Sequence, residues 1–189
     1  MRGDRLIASS SYVAALSGNI WRDGAQIKLN LGYGKFPNDD KADSERTSTD
    51  AMLGYQVVNG TWKTRGYVGL AYLDRTDETE QLGGKIHVST QTKTSGEYAM
   101  SAAANYSTVE NQYWSSFEAG KRFGSVFIGP EITLLGSDRF ESQRVGLAVK
   151  GIRLDQLSVS LRAGYAFNGD EEQTSGDEPY VALSASLGF

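Results

Sequence analysis

The chain is written in a period of two. Its last stretch, PYVALSASLGF from Pro179 to Phe189, sets Val181, Leu183, Ala185, Leu187 and Phe189 against Ala182, Ser184, Ser186 and Gly188. Strict alternation predicts a β-strand with one apolar face. Ten earlier stretches repeat the pattern. The clearest places Ala25, Ile27, Leu29, Leu31 and Tyr33 opposite Gln26, Lys28, Asn30, Gly32 and Gly34. Another sets Leu53, Tyr55 and Val57 against Asp50, Met52, Gly54 and Gln56, and a third sets Trp62, Val68, Leu70 and Tyr72 against Lys63, Arg65, Tyr67 and Gly69. The first predicted strand covers Arg5 to Trp21. The fifth, Lys85 to Ser95, alternates most faintly.

Turn chemistry separates the strands. Asp23-Gly24, Asn59-Gly60 and Gly124-Ser125 are hairpin signals, because their residues accept the positive φ of tight turns. Pro130 lies inside the eighth stretch and has no N–H for the ladder, so a bulge or local break is expected there. Connections alternate between short and long. The long polar ones are Pro37 to Arg46, Asp74 to Gly84, LGSDRFE over Leu135 to Glu141, and Asn168 to Glu178.

Aromatic residues bracket the apolar bands: Trp62 and Tyr72, like Tyr113 and Phe123, are ten residues apart on one face. At about 3.4 Å per residue and a tilt of about 40°, that spacing spans roughly 26 Å, the height of a lipid-facing band between aromatic girdles. These features predict one domain over residues 1–189: an all-β, antiparallel, up-and-down transmembrane β-barrel, apolar outside and polar inside. Eleven strands are counted. Barrels of this class have even numbers, so a twelfth strand before Arg5 is expected in the intact protein.

Composition narrows the reading. No apolar run approaches the length of a membrane helix. The absence of cysteine excludes disulfides and thiolate metal sites, and a single histidine, His87, excludes a histidine metal cluster. No cofactor is expected. A net charge of −4 and a pI of about 5.1 argue against a nucleic-acid partner. The mean hydropathy of −0.40 is compatible with a barrel, since only alternate strand residues face lipid. The opening, MRGDRLIASS, contains no secretory signal, and its Arg-Gly-Asp triplet is too short to carry weight.

The segment Asn105 to Arg153 carries YST followed by YW, an R-F-G turn, F-I-G-P-E, an L-G element and Q-R-V-G. In these motifs the chain resembles the BcsS family of cellulose-biosynthesis proteins. Weaker similarity covers SGNIWRDGAQIKLNLGYGKF and MLGYQVVNG. The resemblance implies a small outer-membrane barrel of a Gram-negative bacterium, associated with cellulose synthesis and of undefined biochemical activity. It also implies lipid or lipopolysaccharide as surroundings, and the cellulose-synthesis machinery or a glucan as partner.

The inward positions carry Lys28, Asp50, Lys63, Arg65, His87, Lys93, Glu118, Arg122, Glu131, Arg144, Lys150 and Arg162. In a narrow interior such charges are expected to pair, because an unpaired one is costly. Glu118, Glu131, Arg122, Arg144 and Arg162 are expected to form one cluster, with the two glutamates facing each other across the Gly124-Ser125 hairpin. The same list reads either as a structural ion-pair network or as the lining of a narrow pore. A glycosidase would need one of two carboxylates as proton donor, a role the surrounding arginines oppose. A lipid-modifying hydrolase would have to use His87, and no G-x-S-x-G elbow accompanies it. Thirteen of the 23 acidic residues fall at Asp39–Glu45, Asp74–Glu80 and Asp170–Glu178, marking solvated loops. The expectation is therefore a non-enzymatic barrel serving cellulose production as scaffold or narrow conduit. The alternatives are a small porin or adhesin, and an outer-membrane lipid-modifying enzyme.

Overall fold

A computed structural model describes residues 6–16, 19, 22–36, 44–76, 79–92, 96–138, 140–154, 157–168 and 177–187. The strands are β1 Leu6–Ala15, β2 Gly24–Phe36, β3 Ser44–Asn59, β4 Trp62–Arg75, β5 Gln81–Thr92 and β6 Tyr98–Ser107. After a single 3-10 turn at Val109–Asn111 come β7 Gln112–Phe123, β8 Val126–Ser137, β9 Phe140–Leu154, β10 Leu157–Asn168 and β11 Glu178–Leu187. All eleven lie in one sheet in sequence order. This is the all-β, antiparallel, up-and-down arrangement that the alternation predicts. Among the described residues β1 and β11 are not paired with each other, so the sheet is not closed. The expected twelfth strand, the Arg-Gly-Asp triplet, Trp21 and Phe189 lie outside the described residues.

Register follows the hydrophobic pattern. Leu29 stands opposite Tyr12 and Ala51, Lys28 opposite Val13 and Met52, and Leu161 opposite Leu183 and Val149. Because a slip of one residue would exchange the two faces, the pattern itself pins this pairing. Asn59-Gly60 and Gly124-Ser125 make the expected turns, with Gly60 and Gly124 at φ 55° and 64°.

Several boundaries differ from expectation. β3 begins at Ser44 and β5 at Gln81, so both preceding loops are shorter than their polarity implied. LGSDRFE is no long loop: Leu135, Gly136 and Ser137 extend β8 and pair with Ser142, Glu141 and Phe140 of β9. Polar residues were read there as loop, but backbone pairing continues past the apolar band without needing apolar side chains. Glu45, Asp74 and Glu178, counted with the loop acids, sit in strands for the same reason.

Pro130 makes no bulge but does mark the expected local break: the β7 ladder stops after Glu118–Glu131 and resumes in the same register at Lys121–Ile128, while on the β9 side Pro130 stays paired with Leu147. The register shift lies between β9 and β10. There the register shifts between Val159 and Leu161, next to Gly151 at φ 77°, a conformation that glycine adopts without strain.

By internal packing the residues form two compact units. Unit 1 is Met1–Val58, Arg65–His87 and Tyr106–Val109, and unit 2 is Asn59–Thr64, Val88–Asn105 and Glu110–Phe189. Each has a small buried apolar cluster: Ala71, Leu73 and Val109 in unit 1, and Ala99, Phe127 and Ala148 in unit 2. Neither is a core in the ordinary sense, because the large apolar side chains are elsewhere. Leu53 is 60 % exposed and Leu183 73 %, and Leu29, Val68, Phe117, Ile132, Leu147 and Leu161 are exposed as well. The opposite face is buried and polar. Exposed apolar and buried charged residues alternate in one strand after another, the inverse of a water-soluble sheet.

Candidate functional site

The buried polar face carries the chemistry, and each unit holds one cluster. In unit 2, Glu118 of β7 and Glu131 of β8 are direct cross-strand partners, as expected across the Gly124-Ser125 hairpin. Both are nearly fully buried, at 4 % and 3 % exposure. Two carboxylates side by side repel, so the strands around them supply cations. Lys150 of β9 binds both oxygens of Glu118. Arg162 of β10 bridges the pair, its Nε 2.9 Å from Glu131 Oε2 and its Nη2 3.6 Å from Glu118 Oε1. Ser101 Oγ donates to Glu118 at 2.9 Å.

Tyr180 of β11 completes the cluster, donating from its hydroxyl to Glu131 Oε1 at 2.9 Å. It reaches β8 because the row between them is glycine: Tyr180 stands opposite Gly164, Gly164 opposite Gly146, and Gly146 opposite Glu131. A Cβ on Gly146 would lie 2.7 Å from the Tyr180 hydroxyl. Arg144 stacks over the Tyr180 ring with its guanidinium carbon 5.5 Å from the centroid. The Arg144 Nε is buried without a hydrogen-bond partner.

Unit 1 is built on a similar plan with different residues. Tyr67 of β4 lies across Gly54 of β3, where a Cβ would come 2.3 Å from its Cδ1. Its hydroxyl donates to Gln26 Oε1 of β2 at 2.5 Å. Gln26 Nε2 donates to Gln56 Oε1, which also accepts from Arg65 Nε at 2.8 Å. Gln56 in turn donates to the Arg22 carbonyl at 2.8 Å. Both glutamines are essentially inaccessible, so this amide chain consumes polar groups that would otherwise be left unsatisfied.

Farther along the same strands, Asp50 accepts from Lys85 Nζ at 2.6 Å and from Asn30 Nδ2 at 3.1 Å. Lys28 lies over the Tyr67 ring, 5.5 Å from its centroid, and His87 meets that ring at 5.7 Å between centroids. Lys28 forms no ion pair among the described residues.

The expected interior residues are thus distributed between two clusters. Glu118, Glu131, Arg144, Lys150 and Arg162 gather in unit 2, while Lys28, Asp50, Arg65 and His87 gather in unit 1. Arg122 stands apart from its expected cluster, donating to the Thr92 carbonyl at 3.5 Å. Lys63 is buried, and Lys93 lies outside the described residues. Tyr180, Lys85 and Ser101 were not singled out from the sequence. Tyr180 shares its parity with Ala182 and Lys85 with His87, so the alternation already placed both on the polar face. Ser101, between Met100 and Ala102 of the alternating sixth stretch, also falls on the polar face by parity.

A family comparison adds identity to this geometry. The cellulose biosynthesis protein BcsS family matches residues 10–189. The chain belongs to the BcsS family. The match spans β2 to β11 and most of β1, so both BcsS clusters fall within it. No curated protein and no solved structure matches the chain. The BcsS family name connects the protein to cellulose biosynthesis.

Proposed function

We propose that the protein spans the outer membrane of a Gram-negative bacterium as a β-barrel and serves cellulose production as a scaffold or narrow conduit, without catalysing a reaction. One observation carries the reading: bulky apolar side chains are exposed along strand after strand, while the charges between them are buried and mutually bonded. Soluble monomers rarely expose continuous apolar surface beyond a few hundred Å². A lipid environment turns the same surface from a liability into the driving force for insertion, and closure of the sheet in the membrane would remove its open edges. The aromatic girdle positions fit, since Trp62, Tyr113 and Phe123 are exposed at strand ends. The cellulose role rests on family membership.

The non-enzymatic reading has support in the clusters. The two carboxylates are occupied by lysine, arginine, serine and tyrosine, and His87 packs on an aromatic ring. Lipid and lipopolysaccharide are the proposed surroundings, and the cellulose-synthesis machinery or its glucan is the proposed partner.

Two measurements test this. Separation of inner and outer membranes by density should place the protein with lipopolysaccharide, whereas recovery in the soluble fraction contradicts the membrane assignment. Deletion of its gene should lower or misplace extracellular cellulose, and normal yield and localisation contradict the cellulose role. Single-channel conductance in planar bilayers then distinguishes a conduit from a scaffold.

A further inference from the structure

Unit 1 has more half-buried positive charge than Asp50 balances. Lys28 is flanked electrostatically by Lys85 and Arg65, and the one carboxylate acting on it, Asp50, is already held by Lys85 and Asn30. Lys28 has only the Tyr67 ring beneath it, and Arg65 spends its Nε on Gln56. All three cations act electrostatically on His87, which shares the space above Tyr67. Half-buried cations repel one another, and leaving them without counter-charge is costly. A bound anion removes that cost.

The donors suit one shape. The outer nitrogens of Arg65 form a planar fork, Lys28 and Lys85 are point charges on flexible stems, and the His87 ring offers an N–H. Such a set matches a compact oxyanion with several acceptor oxygens. We propose that the surface formed by Lys28, Arg65, Lys85 and His87 over Tyr67 is a binding site for a phosphate-sized oxyanion, either free or carried as a monoester. The cluster in unit 2 is a built-in contrast, because there the counter-charges are Glu118 and Glu131 of the chain itself.

The site is independent of the membrane and cellulose readings, since it belongs to one unit and is tested on purified, refolded protein in detergent. Equilibrium dialysis with labelled inorganic phosphate should give saturable binding approaching one phosphate per chain. Phosphate should also raise the unfolding midpoint at constant ionic strength, where chloride does not. Lys28→Gln together with Arg65→Gln should reduce binding at least tenfold, while Lys121→Gln, which removes an exposed lysine paired with Glu97, should leave it intact. If the double variant does not refold, Lys28→Gln alone serves, with a severalfold loss expected. Competition by glucose 6-phosphate identifies a monoester site, and failure to compete identifies a site for the free anion. The proposal is overturned if wild type retains no phosphate, if chloride stabilises equally, or if the Lys28 variants bind as wild type does.

Discussion

Around Glu118 and Glu131 each buried carboxylate meets more than one donor, whereas in unit 1 Lys28 is flanked by Lys85 and Arg65 and the carboxylate acting on it, Asp50, is bound by Lys85. Each cluster lies among the buried polar residues of its own unit, and each uses a tyrosine laid across glycine to reach a distant strand. The difference is where balance comes from. Unit 2 is neutralised by its own side chains, and breaking it removes native bonds. Unit 1 uses uncharged amides for its deepest positions, Gln26 and Gln56, and leaves Lys28 without an ion pair among the described residues. A polar interior can therefore be closed and structural in one region and open to a ligand in another.

That contrast can be broken most forcefully in unit 2. Glu131→Gln leaves Arg162 without that carboxylate, and should cost about 3 kcal/mol in reversible unfolding, the low end for breaking a buried pair because Arg162 retains some solvent access. Equal stability of variant and wild type would mean the cluster is hydrated rather than closed. The two glycine bridges come next. Gly54→Ala should cost about 2 kcal/mol, since its Cβ meets the stem of the Tyr67 ring and the Gly66 carbonyl. Gly146→Ala should cost somewhat less, since on the tyrosine side only the hydroxyl tip of Tyr180 must move.

The tyrosine hydroxyls sharpen the comparison further. Tyr180→Phe removes a bond to a carboxylate and should destabilise by about 2 kcal/mol, against about 1 kcal/mol for Tyr67→Phe, whose acceptor is neutral. A reversed order would show that charge assistance is unimportant on this face. The smallest change is expected at Lys28. In phosphate-free buffer Lys28→Met should leave stability within about 1 kcal/mol of wild type, or raise it, because it relieves repulsion from Lys85 and Arg65 and forfeits a cation–π contact and the longer-range attraction of Asp50. A large loss there would show that the attraction of Asp50 outweighs the repulsion and erase the difference between the clusters.

Much of this was legible in the sequence because strand periodicity is exact and local. Alternation located the strands, separated Leu29 from Lys28, and placed Glu118 beside Glu131 through a two-residue turn. It failed where local signals mislead. Polarity at Leu135 to Glu141 suggested a loop, although a ladder tolerates polar residues outside an apolar band. Pro130 suggested a bulge or local break, and the β7 ladder does lapse beside it, but the register shift sits at Gly151, whose positive φ permits it. Contacts between non-adjacent strands were the least legible. Arg162 reaches Glu131 over two strand spacings, and Tyr180 reaches it over three. Such bonds depend on glycine rows and local curvature that no single strand records.

The orientation of the two faces can be tested directly because the chain has no cysteine of its own. Single-cysteine variants at Leu53, Leu161 and Leu183, spin-labelled and refolded into lipid vesicles, are compared with labels at the alternating positions Met52 and Ala182. Labels replacing the three leucines should collide readily with dissolved oxygen and be shielded from a water-soluble nickel chelate, with the preference weakening or reversing at the neighbouring positions. Free access of nickel to Leu53, Leu161 and Leu183 would place that face in water and contradict the account.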